Sequence, residues 1–259
     1  MRIALFIVIT SLLLSAEGIK MVSSKKVNCT SFTTDNLGNV FQTKGNTIEK
    51  YLPDGTLQNQ YSSKLFGNID IVDTQNPLQI LLYHEDVSQV ILLDNTLSLQ
   101  VTIPLEHFGL ELTQTVCSST NSGFWAFNPL SIELIKISNA SEVVVESGNL
   151  SQIIGLELNP NYITEHSNRV YLNDPANGIF VFDIFGTYLK TIPIKGLSSF
   201  QATETDLYYL KKGSIFGFNF KTLDITSITL PTLGIEHFRV EKNSIYTLKQ
   251  NMLSKYIID

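Results

Sequence analysis

The sequence predicts an all-β protein: a six-bladed β-propeller with four-stranded antiparallel blades, its ring closed by an N-terminal strand. Three observations lead there. First, short runs of β-branched and aromatic residues alternate with breaks made of Pro, Gly, Asn and Asp, each of which favours a turn for its own reason. The stretch Arg169–Ile194 shows this most clearly. Second, the pattern recurs. Strands containing positions 40, 80, 124, 170, 207 and 245 follow one another at spacings of 40, 44, 46, 37 and 38 residues, within the range of propeller blades. Third, no segment sustains a helical period, and beyond the N-terminus apolar runs are only four to six residues long, which suits strands buried on both faces.

In Arg169–Ile194 the reading is strand (Val170–Asn173), turn (Asp174–Gly178), strand (Ile179–Asp183), turn (Ile184–Thr187), strand (Tyr188–Ile194). The equivalents of its first strand are Asn39–Gln42, Gln79–Tyr83, Gly123–Phe127, Asp206–Leu210 and Ser244–Leu248. A second strand follows each: Thr47–Tyr51, Gln89–Leu93, Ser131–Ile135, Gly178–Phe182, Ser214–Phe218 and Met252–Tyr256. Before most pairs lies a shorter apolar run, as in Ile69–Val72, Thr115–Cys117, Tyr162–Thr164 and Phe200–Thr203, and after most comes a turn and a fourth run, as in Pro53–Leu57. The last repeat ends at Asp259 after its third strand. A strand drawn from Ile19–Thr30 is expected to complete it and to remove the open edge.

Composition excludes several roles. With 43% hydrophobic and 16% charged residues, ten Tyr and fifteen Phe, the chain has material for an extensive core. A formal net charge of −6 removes the electrostatic term that dominates nucleic-acid binding. Arg2 precedes the apolar run Ile3–Leu14 and the small residues Ser15, Ala16 and Gly18. That run is too short for a membrane-spanning helix and reads as a signal peptide over residues 1–18, cleaved near Ala16 to Gly18, the alternative being a buried N-terminal helix or strand, since Arg2 alone makes a thin charged region. Residues 19–259 then form one exported domain with no transmembrane span. Cys29 comes too late for a lipoprotein anchor. Cys29 and Cys117 are either one disulfide or two separate buried thiols, and neither has a metal-ligand neighbour at zinc spacing.

Chemistry, if present, is expected at the channel mouth, on the innermost strands and the loops entering them. Those segments carry Asp70, Asp73, Glu165, His166, Glu204, Glu236 and His237. Carboxylates gathered there are what a Ca²⁺- or Mg²⁺-dependent hydrolase or lactonase requires. The bland alternative is solvated side chains at the rim. His84-Glu85-Asp86 reads as a hairpin tip. Glu106-His107-Phe108 and Glu236-His237-Phe238 share a local pattern, by chance or as a recurring loop-to-strand entrance. No phosphate loop, dinucleotide fingerprint, H-E-x-x-H or nucleophile elbow occurs. Asp174-Pro175 and Pro53-Asp54-Gly55 are turn chemistry. The sequons at Asn28, Asn139 and Asn149 matter only where the export route glycosylates. No catalytic, cofactor or metal residue is assigned.

The units Asp35–Phe41 and Tyr51–Leu57 resemble repeats of NHL-like and other six-bladed bacterial propellers. The phrase Val170–Ile194 is similar to exported propellers of Bacteroidota-type envelopes, a group that includes partners of the type IX secretion translocon. The resemblance spans Phe32–Asp259 and lies in structural positions. It implies a periplasmic or envelope-associated docking ring with a protein partner and offers no catalytic motif. The WD40 and kelch repeat signatures are missing. The expected function is therefore a non-enzymatic protein-docking scaffold. The alternatives are the metal-dependent hydrolase and a small-ligand sensor in the channel.

Overall fold

A computed structural model describes residues 18–258. The expected signal peptide lies almost wholly outside them. The described residues open with β1 (Ile19–Lys26). Blade 1 is β2 (Ser31–Thr34), β3 (Val40–Lys44), β4 (Thr47–Tyr51) and β5 (Leu57–Ser62). Blade 2 is β6 (Ile71–Asp73), β7 (Gln79–His84), β8 (Gln89–Asp94) and β9 (Leu99–Pro104). Blade 3 is β10 (Val116–Ser118), β11 (Phe124–Asn128), β12 (Glu133–Ile137) and β13 (Val143–Glu146), followed by a single helical turn, α1 (Leu150–Ile154). Blade 4 is β14 (Tyr162–His166), β15 (Arg169–Asp174), β16 (Gly178–Asp183) and β17 (Tyr188–Ile192). Blade 5 is β18 (Phe200–Ala202), β19 (Asp206–Lys211), β20 (Ser214–Asn219) and β21 (Ile225–Ile228). Blade 6 is β22 (His237–Glu241), β23 (Ser244–Lys249) and β24 (Met252–Ile258).

Each blade is one antiparallel sheet. The sixth runs β1-β24-β23-β22, so the N-terminal strand does complete it. That pairing extends from Ile19 opposite Ile258 to Lys26 opposite Met252. It joins the two ends of the described residues in one sheet and closes the ring.

The continuous apolar runs have a direct cause. Alternate residues of a strand point to opposite faces, and here both faces meet another blade. Ile80 and Leu82 of β7 pack toward Phe41 and Ile48 of blade 1. Leu81 and Tyr83 of the same strand pack toward Val116 and Phe124 of blade 3. Six such clusters fill the six seams.

Three strands lose two residues at one end against expectation: β6 starts at Ile71 and not at Ile69, β17 ends at Ile192 and not at Ile194, and one strand of blade 3 starts late. The third strand of blade 3 starts at Glu133 and not at Ser131. Asn128 Oδ1 accepts the backbone N–H groups of Leu130 and Ser131, and Ile132 sits at φ +58°. The hairpin is therefore wider by two residues. α1 was also not foreseen. Asn149 caps it by accepting the Gln152 N–H.

Candidate functional site

The innermost strands β2, β6, β10, β14, β18 and β22 line the channel and run parallel to one another. Call the face where they begin the top and the face where they end the bottom. The hairpins between second and third strands and the connections between blades then lie on top. This places the seven candidate residues. Asp70, Glu236 and His237 stand at the top, whereas Asp73, Glu165, His166 and Glu204 stand at the bottom. Inner strands of three to five residues separate the two groups by about 10–16 Å. Among the described residues no group of three or more His, Cys, Asp or Glu is placed to hold a metal ion.

A cavity of about 610 Å³ opens from the bottom of the channel and reaches up to Ile71, Val116 and Tyr162. Its walls include Asp73, Gln75, Tyr162, Thr164, His166, Gln201, Glu204, Arg239 and Glu241. Neighbouring inner strands belong to different sheets, so their backbone groups do not satisfy one another. Side chains do that work. Between blades 1 and 2, Thr74 Oγ1 donates to Thr34 O at 2.8 Å. Between blades 2 and 3, Ser118 N donates to Asp73 Oδ2 at 2.9 Å. Between blades 3 and 4, Thr120 donates its N–H and its hydroxyl to Glu165 Oε1, and Trp125 Nε1 donates to Oε2 at 2.6 Å. Between blades 4 and 5, Tyr162 meets Phe200 edge-on at 5.1 Å. Between blades 5 and 6, the Gln201 amide forms a peptide-like pair with Val240, at 2.8 Å in both directions. Between blades 6 and 1, Thr34 Oγ1 donates to Glu241 Oε1 at 2.7 Å. Gln75 Nε2 also reaches Thr164 Oγ1 at 2.6 Å, from blade 2 to blade 4.

Two of the candidate acids are thus structural, which corrects the picture of solvated rim side chains. Glu165 is wholly buried and Asp73 nearly so. Burial pushes the Asp73 carboxyl above its usual range, offset in part by the Gln75 and Ser118 N–H groups and the Arg239 charge. Glu241 is raised for the same first reason, offset by the Thr34 hydroxyl. His166 and His237 are pushed down by burial, partly countered by Glu204 and Glu236 respectively. Neither cysteine is bridged and both are buried. Burial raises the Cys29 thiol and holds that of Cys117 well above normal, so neither is an activated nucleophile.

His84 is a hairpin residue, as expected, but its ring is buried. Nδ1 lies 2.7 Å from Asn68 O, and Nε2 has no partner. The two Glu-His-Phe triplets share no conformation: the first is a 3-10 turn, and the second leads into β22. Of the three sequon asparagines, Asn149 has its Nδ2 committed to Ser131 O at 2.7 Å. Sequence reasoning missed Arg239, Gln201, Gln75 and Glu241. The signal was positional: aligned on its inner-strand end, Glu241 matches Thr34, Asp73 and His166.

The top face has a second feature. Over blades 2 to 4 the loops are tied to one another. Ser88 Oγ donates to Glu111 O at 2.7 Å, Asn128 Nδ2 to Gly109 O at 3.4 Å, Leu150 N to Ile132 O at 2.8 Å and Asn177 Nδ2 to Glu157 O at 2.9 Å. This fixed arc carries Val87, Leu112, Leu130, Ile153 and Leu156, each 41–67% exposed.

No known protein family matches the sequence, and no curated protein matches it. Solved structures do. The WD40 domain of Pan2 from Neurospora crassa has a TM-score of 0.65 at 7% identity, covering 93% of this chain and 96% of that one. Virginiamycin B lyase from Staphylococcus aureus, solved as an inactive variant with quinupristin, has a TM-score of 0.58 at 16% identity, covering 92% and 89%. A streptogramin B lyase has a TM-score of 0.59 at 14% identity, covering 92% and 87%. At these identities the likeness is one of fold: the chain is a six-bladed β-propeller.

Proposed function

We infer that the protein is a non-enzymatic docking ring that holds a protein partner. The observation that carries this reading is the top-face arc. Its loops are hydrogen-bonded to one another and present five large apolar side chains to solvent. A rigid scaffold with apolar loops is suited to binding. The channel supports the same choice. Asp73, Glu165 and Glu241 serve as acceptors between blades, which withdraws three carboxylates from the set a hydrolase would draw on and leaves Glu204 and His166 in the cavity wall. The apolar run after Arg2 favours export, and the likeness to bacterial envelope propellers favours a place in an envelope or secretion complex. Purification of the exported protein from native membranes in mild detergent tests this. A stoichiometric partner is expected, and recovery of the ring alone would sink the reading.

A further inference from the structure

Charge is unevenly divided around the ring. Between Lys64 and Arg169 the only Lys or Arg is Lys136, against twelve Asp and Glu. Lys136 is buried, with Nζ 5.7 Å from the Trp125 ring centre, and so are Asp73 and Glu165 among the twelve acids, which leaves ten Asp and Glu and no Lys or Arg outside the core of this stretch. The other described residues carry sixteen Lys and Arg against ten Asp and Glu. The division is visible on the top face. Glu85, Asp86, Glu106, Glu111 and Glu157, all exposed, flank the apolar arc over blades 2 to 4. Lys44, Lys64, Lys195 and Lys212 occupy the remaining arc, with Glu236 among them.

We propose that the acidic arc docks a cationic, apolar segment of the partner protein. The leucines take its apolar side and the carboxylates its basic side. This rests on the docking reading and adds where the partner sits and what surface it presents. Apolar anchors surrounded by like charges accept a partner of opposite sign and reject one of the same sign. The loops are already tied together, so little ordering opposes binding. The opposite half of the top face repels the same segment, which orients it. A second copy offering its basic half would make a head-to-tail contact that does not close on itself.

The test uses a synthetic amphipathic helix with Leu on one face and Lys on the other, and a twin with Glu in place of Lys. The Lys peptide is expected to bind the whole protein and to weaken as salt rises. Leu112→Ser with Leu130→Ser should weaken it about tenfold, since each leucine loses its contact area. Both leucines are largely exposed, and an unchanged Tm confirms folding. Glu106→Gln with Glu111→Gln should weaken binding and flatten its salt dependence. Leu223→Ser, on the bottom face, should change nothing. Full affinity in the leucine pair variant, or equal binding of the Glu peptide, overturns the proposal. So does self-association of the ring that the leucine pair variant abolishes. A photo-crosslinker at position 112 or 223 of the exported protein separates the two readings. Crosslinks to Lys- and Arg-rich peptides from position 112 support the arc. Crosslinks from 223 alone leave docking intact and remove the arc.

Discussion

Glu165→Gln probes the tie between blades 3 and 4 without changing volume. The native carboxylate accepts three donors: Thr120 N–H, Thr120 hydroxyl and Trp125 Nε1–H. A carboxamide has one acceptor oxygen. Whichever way it turns, its NH₂ faces a donor, and one buried N–H is left unpaired. A hydrogen bond to a charged group contributes about 1.5–3 kcal/mol, and a stranded buried donor costs about 1–3 kcal/mol. A net loss of about 3 kcal/mol follows. Unfolding entropy near 2.1 cal/mol/K per residue makes that about 6 °C in Tm for a domain of this size. The assay is calorimetry together with intrinsic fluorescence. Trp125 is the only tryptophan, so the emission comes from the ring that makes this bond and should shift in the variant. A Tm within about 1 °C of wild type and unchanged emission would refute the reasoning. Glu165 would then be an uncommitted acid in the channel wall, and the enzymatic reading would reopen.

Other outcomes are expected. Burial holds the His84 imidazole below its ordinary pKa, so the unfolded chain binds the proton more readily. Its contribution to stability is complete above about pH 6.5 and falls away as the pH drops through the folded value. His84→Gln should flatten the acid limb of denaturant midpoints against pH, and an unchanged slope contradicts the assignment. Gly123→Ala should unfold the protein or lower Tm steeply, because at φ +79° a Cβ would lie 2.0 Å from Ile137 O. Gly55→Ala, at φ +87° with open space around it, should lose only about 1–2 kcal/mol. Similar losses for the two would rule out the clash with Ile137 O as the cause at Gly123. A thiol reagent should find no reactive cysteine in the native protein and two after unfolding without reductant; no reactive thiol in the unfolded protein would establish a disulfide. Deleting residues 19–26 exposes the edge of β24 and should yield oligomers by size exclusion, whereas a stable monomer would mean that the ring does not depend on β1.

The sequence by itself determined the architecture. Turn residues mark the strand ends, and strands buried on both faces keep their apolar runs short and unbroken, so the repeat in Arg169–Ile194 and its five partners could be counted directly. The unfinished sixth repeat also announced that β1 would close the ring. Those signals are local, carried by residues near in the chain. The sites depended on the tertiary structure because the ring joins residues far apart in sequence: Thr34 with Glu241, Gln75 with Thr164, Ser118 with Asp73. Strand direction sent Asp70 and Asp73 to opposite ends of one channel, although they are three residues apart. It also gathered the loops of blades 2 to 4 into one arc, because connections that leave a blade on the same face become neighbours only when the ring closes.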